Sequence, residues 1–169
     1  PCAEGIESTI IDCSRERTLG PVLLRPGTLT RAAIEAAAGQ TLAEPDAQAP
    51  RASGTLEAHY APQAKLRLMS AAALQDAVAI WVQAQREAGN AALQSRKPLA
   101  VYSRTVIVPA APGVVCRRMP GTARATAFEL FAALREFDAQ GVALIWVEQP
   151  PAGSEWDGVR DRLQRAAAA

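Results

Sequence analysis

Three short stretches of this chain carry side chains whose types suit chemistry. Ser8 and Thr9 stand in Gly5-Ile6-Glu7-Ser8-Thr9-Ile10-Ile11-Asp12, Arg25 in Leu24-Arg25-Pro26-Gly27, and His59 and Tyr60 in His59-Tyr60-Ala61-Pro62. A hydroxyl both donates and accepts, so Ser8 suits the amine or carboxylate of a small polar substrate; decoration of a β-branched strand is the plainer alternative. Arg25 lies between an apolar run and a rigid Pro-Gly turn, which presents its guanidinium from a fixed backbone. That placement fits forked recognition of a phosphate, against the alternative of a surface arginine that snorkels to water. Pro62 restricts Ala61 to extended conformations and so pre-orders the His59-Tyr60 pair. Such a pair could close over a site, Tyr60 offering a ring face and a hydroxyl and His59 a phosphate contact, or it could simply be packed or solvated.

The elements that must position these residues follow from periodicity and punctuation. β-Branched residues 6–13 read as a buried strand, 15–20 as a polar turn, and Val22-Leu23-Leu24-Arg25 as a second strand stopped by Pro26-Gly27. Thr30 is placed to cap a short helix ending at Gly39, with Leu29 and Ile34 as a hydrophobic staple. Residues 40–57, rich in Ala, Pro, Gln, Gly and Ser, read as a linker.

From Lys65 onward strands and helices alternate. Leu66-Arg67-Leu68-Met69 reads as a strand, and residues 71–88 as a helix with Leu74, Val78, Trp81 and Val82 inward and Gly89 as terminator. Leu99–Tyr102 and Val114–Cys116 follow as strands. Thr126-x-x-Glu129 is the expected capping box of a helix that buries Leu130, Phe131, Leu134 and Phe137 before Gly141. Ala143–Val147 is the most hydrophobic strand, and Ser154-x-x-Asp157 opens a last helix with Trp156, Val159 and Leu163 inward. This order, with near-continuous apolar strands, predicts an α/β fold: a Rossmann-like, mostly parallel sheet with flanking helices.

Composition narrows the partners. Eighteen basic against seventeen acidic residues leave a net charge of +1, so the chain carries no electrostatic footprint for direct nucleic-acid or membrane-surface binding. No apolar run approaches the roughly 20 residues that span a bilayer. Three cysteines without Cys-x-x-Cys spacing and one histidine make no recognisable zinc site; reduced thiols in a cytoplasmic protein are expected. The second half has neither Gly-x-Gly-x-x-Gly after a strand nor a Gly-x-x-x-x-Gly-Lys loop, so its strand order does not imply nucleotide binding. Asp138, Glu148 and Asp157 read as caps and solvated positions, and Arg117-Arg118 as a solvated turn, with an anion contact as the alternative.

Taken together, Gly5–Asp12, Leu24–Gly27 and His59–Pro62 resemble the long, two-domain form of threonylcarbamoyl-AMP synthase. The resemblance implies that residues 1–40 are the terminal part of a YrdC-like α/β catalytic domain, 41–64 an interdomain linker, and 65–169 the family's small C-terminal α/β domain. It implies a nucleotidyltransferase joining L-threonine, bicarbonate and ATP, with Mg2+, into threonylcarbamoyl-AMP and pyrophosphate. The product feeds the machinery that transfers threonylcarbamoyl to tRNA. Carried over, Ser8 contacts L-threonine, and Arg25, His59 and Tyr60 contact ATP. Ser53-Gly54-Thr55 replaces the Pro-Gly-Met common before the His-Tyr pair, and the family's Lys-x-Arg and Ser-x-Asn motifs have no counterpart. The chain is therefore expected to be a C-terminal fragment, inactive alone. A non-catalytic α/β interaction module is the competing expectation.

Overall fold

The computed structural model describes residues 5–50, 52, 61–95 and 97–168. The first strands, β1 (Ile10–Asp12) and β2 (Val22–Arg25), pair antiparallel into a two-stranded ladder, with a single helical turn α1 (Glu16–Leu19) between them. β1 is shorter than the β-branched run suggested, and the expected turn at 15–20 contains that helical turn. Helix α2 (Arg31–Ala38) begins as expected: the Thr30 hydroxyl accepts from the Ala33 amide at 3.2 Å, and Gly39 ends it at φ 69°. The expected staple does not enclose Leu29, which stays 63% exposed.

The second half is a four-stranded, wholly parallel sheet in the order β3-β6-β4-β5, made of Lys65–Met69, Leu144–Glu148, Leu99–Ser103 and Val114–Arg118. Helix α3 (Ala71–Ser95) covers one face; α4 (Ala123–Ala139) and α5 (Asp157–Ala167) cover the other. With period-two alternation, the central strands divide their side chains between these layers. Ala100, Tyr102, Ile145 and Val147 pack with α4 and α5, whereas Leu99, Val101 and Trp146 pack with Leu74, Val78 and Val82 of α3. Burial on both faces is why β4 and β6 read as apolar runs. The α/β class and the mostly parallel sheet with flanking helices are as expected.

Two helix boundaries differ from the sequence reading. Helix α3 does not stop at Gly89 but continues to Ser95. An interior glycine costs a helix only about 1 kcal/mol relative to alanine, and Ala91, Ala92, Leu93 and Gln94 beyond it are good helix formers. Helix α4 starts earlier than the capping box suggested, because Thr122 takes the cap and accepts from the Ala125 amide at 3.3 Å. Thr126 and Glu129 are occupied by tertiary contacts instead: the Thr126 hydroxyl donates to the Pro120 carbonyl, and Glu129 accepts from the Tyr102 hydroxyl at 2.8 Å.

Glu148, at the end of β6, is not solvated but 2% exposed. Its Oε2 accepts from the amides of Arg104, Thr105 and Val106 at 2.8, 2.7 and 3.2 Å, and the Thr105 hydroxyl donates to Oε1. Asp138 likewise accepts from the Gln63 and Ala64 amides, which pins the chain entering β3 to α4. Arg117 is paired with Glu129 and Glu136 rather than lying in a solvated turn.

Burial alone pushes the Glu148 carboxyl up, but the hydrogen bonds from Thr105, Val106 and Arg104 outweigh it and hold the pKa below its ordinary 4.5. Its stabilisation is therefore complete above that value and is lost as pH falls through the depressed folded-state pKa. Glu148→Gln should remove this acid-side slope in chemical denaturation measured from pH 7 to pH 3. Glu148→Ala, which leaves the buried Val106 amide and the partly buried Arg104 and Thr105 amides without their acceptor, should cost about 3 kcal/mol at pH 7.

Candidate functional site

The site foreseen at Ser8 and Arg25 is built where the chain enters and leaves the two-stranded ladder. Arg25 closes β2 opposite Ile10, and is 6% exposed. Its Nε and Nη2 both donate to the Ser8 carbonyl, at 3.2 and 2.9 Å. One edge of the fork thus holds the Ser8 backbone, while the Ser8 residue itself stays exposed. Pro26-Gly27 then folds back against residues 7–9. A Cβ on Gly27 would lie 2.3 Å from the Thr9 nitrogen, so only glycine lets the turn approach this closely. The Thr9 hydroxyl donates to the Leu29 carbonyl at 3.4 Å, which makes Thr9 a brace for that turn. At the far end of β1, hydrogen bonds from Ser14 hold the Asp12 carboxyl below the ordinary carboxylate range. The structure brings Ser8 and Arg25 together; His59 and Tyr60 lie outside the described residues.

Sequence reasoning missed the residue that joins this site to the second half. Arg162 of α5 is 3% exposed; its Nε donates to Glu7 Oε2 at 2.9 Å and its Nη1 to the Pro26 carbonyl at 3.1 Å. Asp161 also accepts from Nη1. Around this contact, Ile6 is buried in the core shared by α4 and α5, and Gly158 abuts the turn. A Cβ on Gly158 would meet the Gly27 carbonyl oxygen at 2.6 Å and Ile6 Cδ1 at 2.7 Å. A signal for Arg162 existed: it falls on the same helical stripe as Val159, Leu163 and Ala166, where an arginine has no place unless acceptors await it.

A cleft of about 410 Å³ runs beside the junction, with Ile6, Gly27, Thr28 and Leu29 on one wall and Ala123, Arg124 and Ala127 of α4 on the other. Ser8 and Arg25 do not line it. At the carboxyl ends of the parallel strands, the amide cluster at 104–106 has the form of an anion-binding nest, but the Glu148 carboxylate fills it. That position therefore offers no vacant phosphate cradle. Among the described residues, no group of three or more His, Cys, Asp or Glu side chains could hold a metal ion. No helix of the described residues is long and apolar enough to cross a membrane.

Comparison with known proteins agrees with this architecture. The threonylcarbamoyl-AMP synthase of Bacillus subtilis (strain 168) is 30% identical over 174 residues, an alignment covering 99% of this chain and 46% of the relative. The crystal structure of P. abyssi Sua5 complexed with L-threonine matches with a TM-score of 0.71 at 26% identity, covering 98% of this chain and 46% of that one. A variant of P. abyssi Sua5 with a consecutive histidine and tyrosine replaced by alanine matches with a TM-score of 0.68, at the same identity and coverage. The chain thus spans less than half the length of these relatives. A family model described as the threonylcarbamoyl-AMP synthase C-terminal domain matches residues 29–168, and the chain belongs to that family.

Proposed function

We propose that this chain supplies the C-terminal half of an L-threonylcarbamoyladenylate synthase. The reaction joins L-threonine, bicarbonate and ATP into threonylcarbamoyl-AMP with release of pyrophosphate, for N6-threonylcarbamoyladenosine in tRNA. The observation that carries this reading is the pairing of Ser8 and Arg25 on one backbone junction in a chain of this family. It is a junction an interaction module has no reason to build.

On this reading, Ser8 presents its exposed hydroxyl to the amine or carboxylate of L-threonine, in keeping with the L-threonine complex of the similar Sua5. Arg25 orients Ser8 through its carbonyl, and its guanidinium is assigned the phosphate contact with ATP. The chain's single histidine is followed directly by tyrosine. A consecutive histidine and tyrosine were likewise the residues replaced in the Sua5 variant, and on this reading His59 and Tyr60 are assigned to the nucleotide. The threonine amine adds to bicarbonate with loss of water, and an oxygen of the resulting carbamate attacks the α-phosphorus as pyrophosphate leaves, so positioning and charge neutralisation are what these residues contribute. Mg2+ would enter with ATP and neutralise charge on its phosphates. Residues equivalent to the remainder of the relatives complete the site. The product passes to the tRNA threonylcarbamoyl-transfer machinery in the cytoplasm.

Pyrophosphate release that depends on both threonine and bicarbonate tests this reading. The expected result is activity in the protein extended upstream to the relatives' length and none in this chain alone. Inactivity of the folded, extended protein would leave a non-catalytic α/β module as the account. In the active protein, Ser8→Ala should raise KM for threonine about 10-fold to 100-fold, the range for losing one hydrogen bond to a charged group, about 1.5–3 kcal/mol.

A further inference from the structure

Arg162 makes contacts that adhesion alone does not need. Ile6 already seats the N-terminal segment in the core, and a buried ion pair is commonly no more stabilising than well-packed apolar side chains of equal volume. What a guanidinium adds is direction: a planar set of donors fixes the angle as well as the distance of its acceptors. Beyond Asp161 on its own helix, the acceptors are the side chain of Glu7 and the main-chain oxygen of Pro26. Glu7 immediately precedes Ser8, and Pro26 immediately follows Arg25. Arg25 in turn holds the Ser8 carbonyl. Two forks in series therefore run from α5 to the Ser8 backbone. The Arg162 Nη2 is buried without a hydrogen-bond partner among the described residues, a cost accepted in a position with no purely adhesive need for arginine.

We propose that Arg162 is a positioning residue through which the C-terminal domain sets the geometry of the Ser8–Arg25 site for threonine. It touches no substrate; it acts by holding Glu7 and Pro26 at a fixed angle to α5. Ser8 and Arg25 precede the segment matched by the family model and Arg162 lies within it, so the contact crosses the boundary between the two. The assignment of threonine to this geometry rests on the proposed function; the mechanical coupling does not.

The test uses the extended, active protein with Arg162→Met, which keeps the packing volume, and Arg162→Lys, which keeps the charge but not the fork. Glu7→Gln is a milder second variant in case the arginine variants fail to fold. Backbone amide exchange should accelerate at least tenfold at residues 7–10 and at Leu24, Arg25 and Gly27 in Arg162→Met, while β4 and β6 stay protected. KM for threonine should rise at least tenfold with kcat changed less than threefold, Arg162→Lys lying between Met and wild type. Unchanged exchange at those two segments, or a folded Arg162→Met with wild-type KM, overturns the proposal. A wild-type protein without threonine-dependent turnover instead overturns the functional reading and the threonine assignment, while the exchange experiment still decides the coupling.

Discussion

A buried guanidinium has to be surrounded by acceptors, and Arg162 finds its acceptors on a different part of the chain. Isolated in the core, its charge would cost far more than helix α5 could offset; held by Glu7, Pro26 and Asp161, it becomes a joint. The ladder of β1 and β2 is too small to be stable on its own, since two paired strands in water are marginal at best. Its apolar support comes through Ile6, and its orientation through Arg162. The close approach of Gly27 to Thr9, and of Gly158 to Gly27, is possible only because neither glycine carries a side chain.

The same economy of anions organises the opposite end of the sheet. Parallel strands leave backbone amides exposed at their carboxyl ends, where α/β folds commonly hold phosphates. In this domain the amides following β4 close on Glu148 of the neighbouring central strand. A carboxylate built into the chain takes the place a ligand would occupy and ties β4 to β6. The Rossmann-like order thus serves as a scaffold, and the Ser8–Arg25 pairing lies on the N-terminal segment that Arg162 of α5 holds.

Much of this fold was legible from periodicity. The strands at 65–69, 99–103 and 144–148 and the inward faces of α3, α4 and α5 announce themselves because burial on one face or both dictates which positions are apolar. The errors came where a local signal had a competing use. Thr126 and Glu129 matched a capping box but are engaged by Pro120 and Tyr102, and Gly89 matched a terminator inside a run of good helix formers. At the site, Ser8 and Arg25 were visible as unusual polar residues bracketed by apolar ones and a Pro-Gly turn. Their mutual contact was not, because seventeen residues separate them and no local rule spans that distance.

The sequence by itself determined most of the elements, a mostly parallel sheet and the candidate polar residues, since each depends on spacing within a few residues. It also carried the family resemblance through short contiguous motifs. Only the tertiary structure decided that Arg25 holds the Ser8 carbonyl, that Glu148 fills the amide nest, and that Arg162 locks α5 to Glu7 and Pro26. These are pairings of a charge with acceptors as many as 155 residues away. A charged side chain records in the sequence that it needs a partner, but packing of the whole chain selects which one it meets.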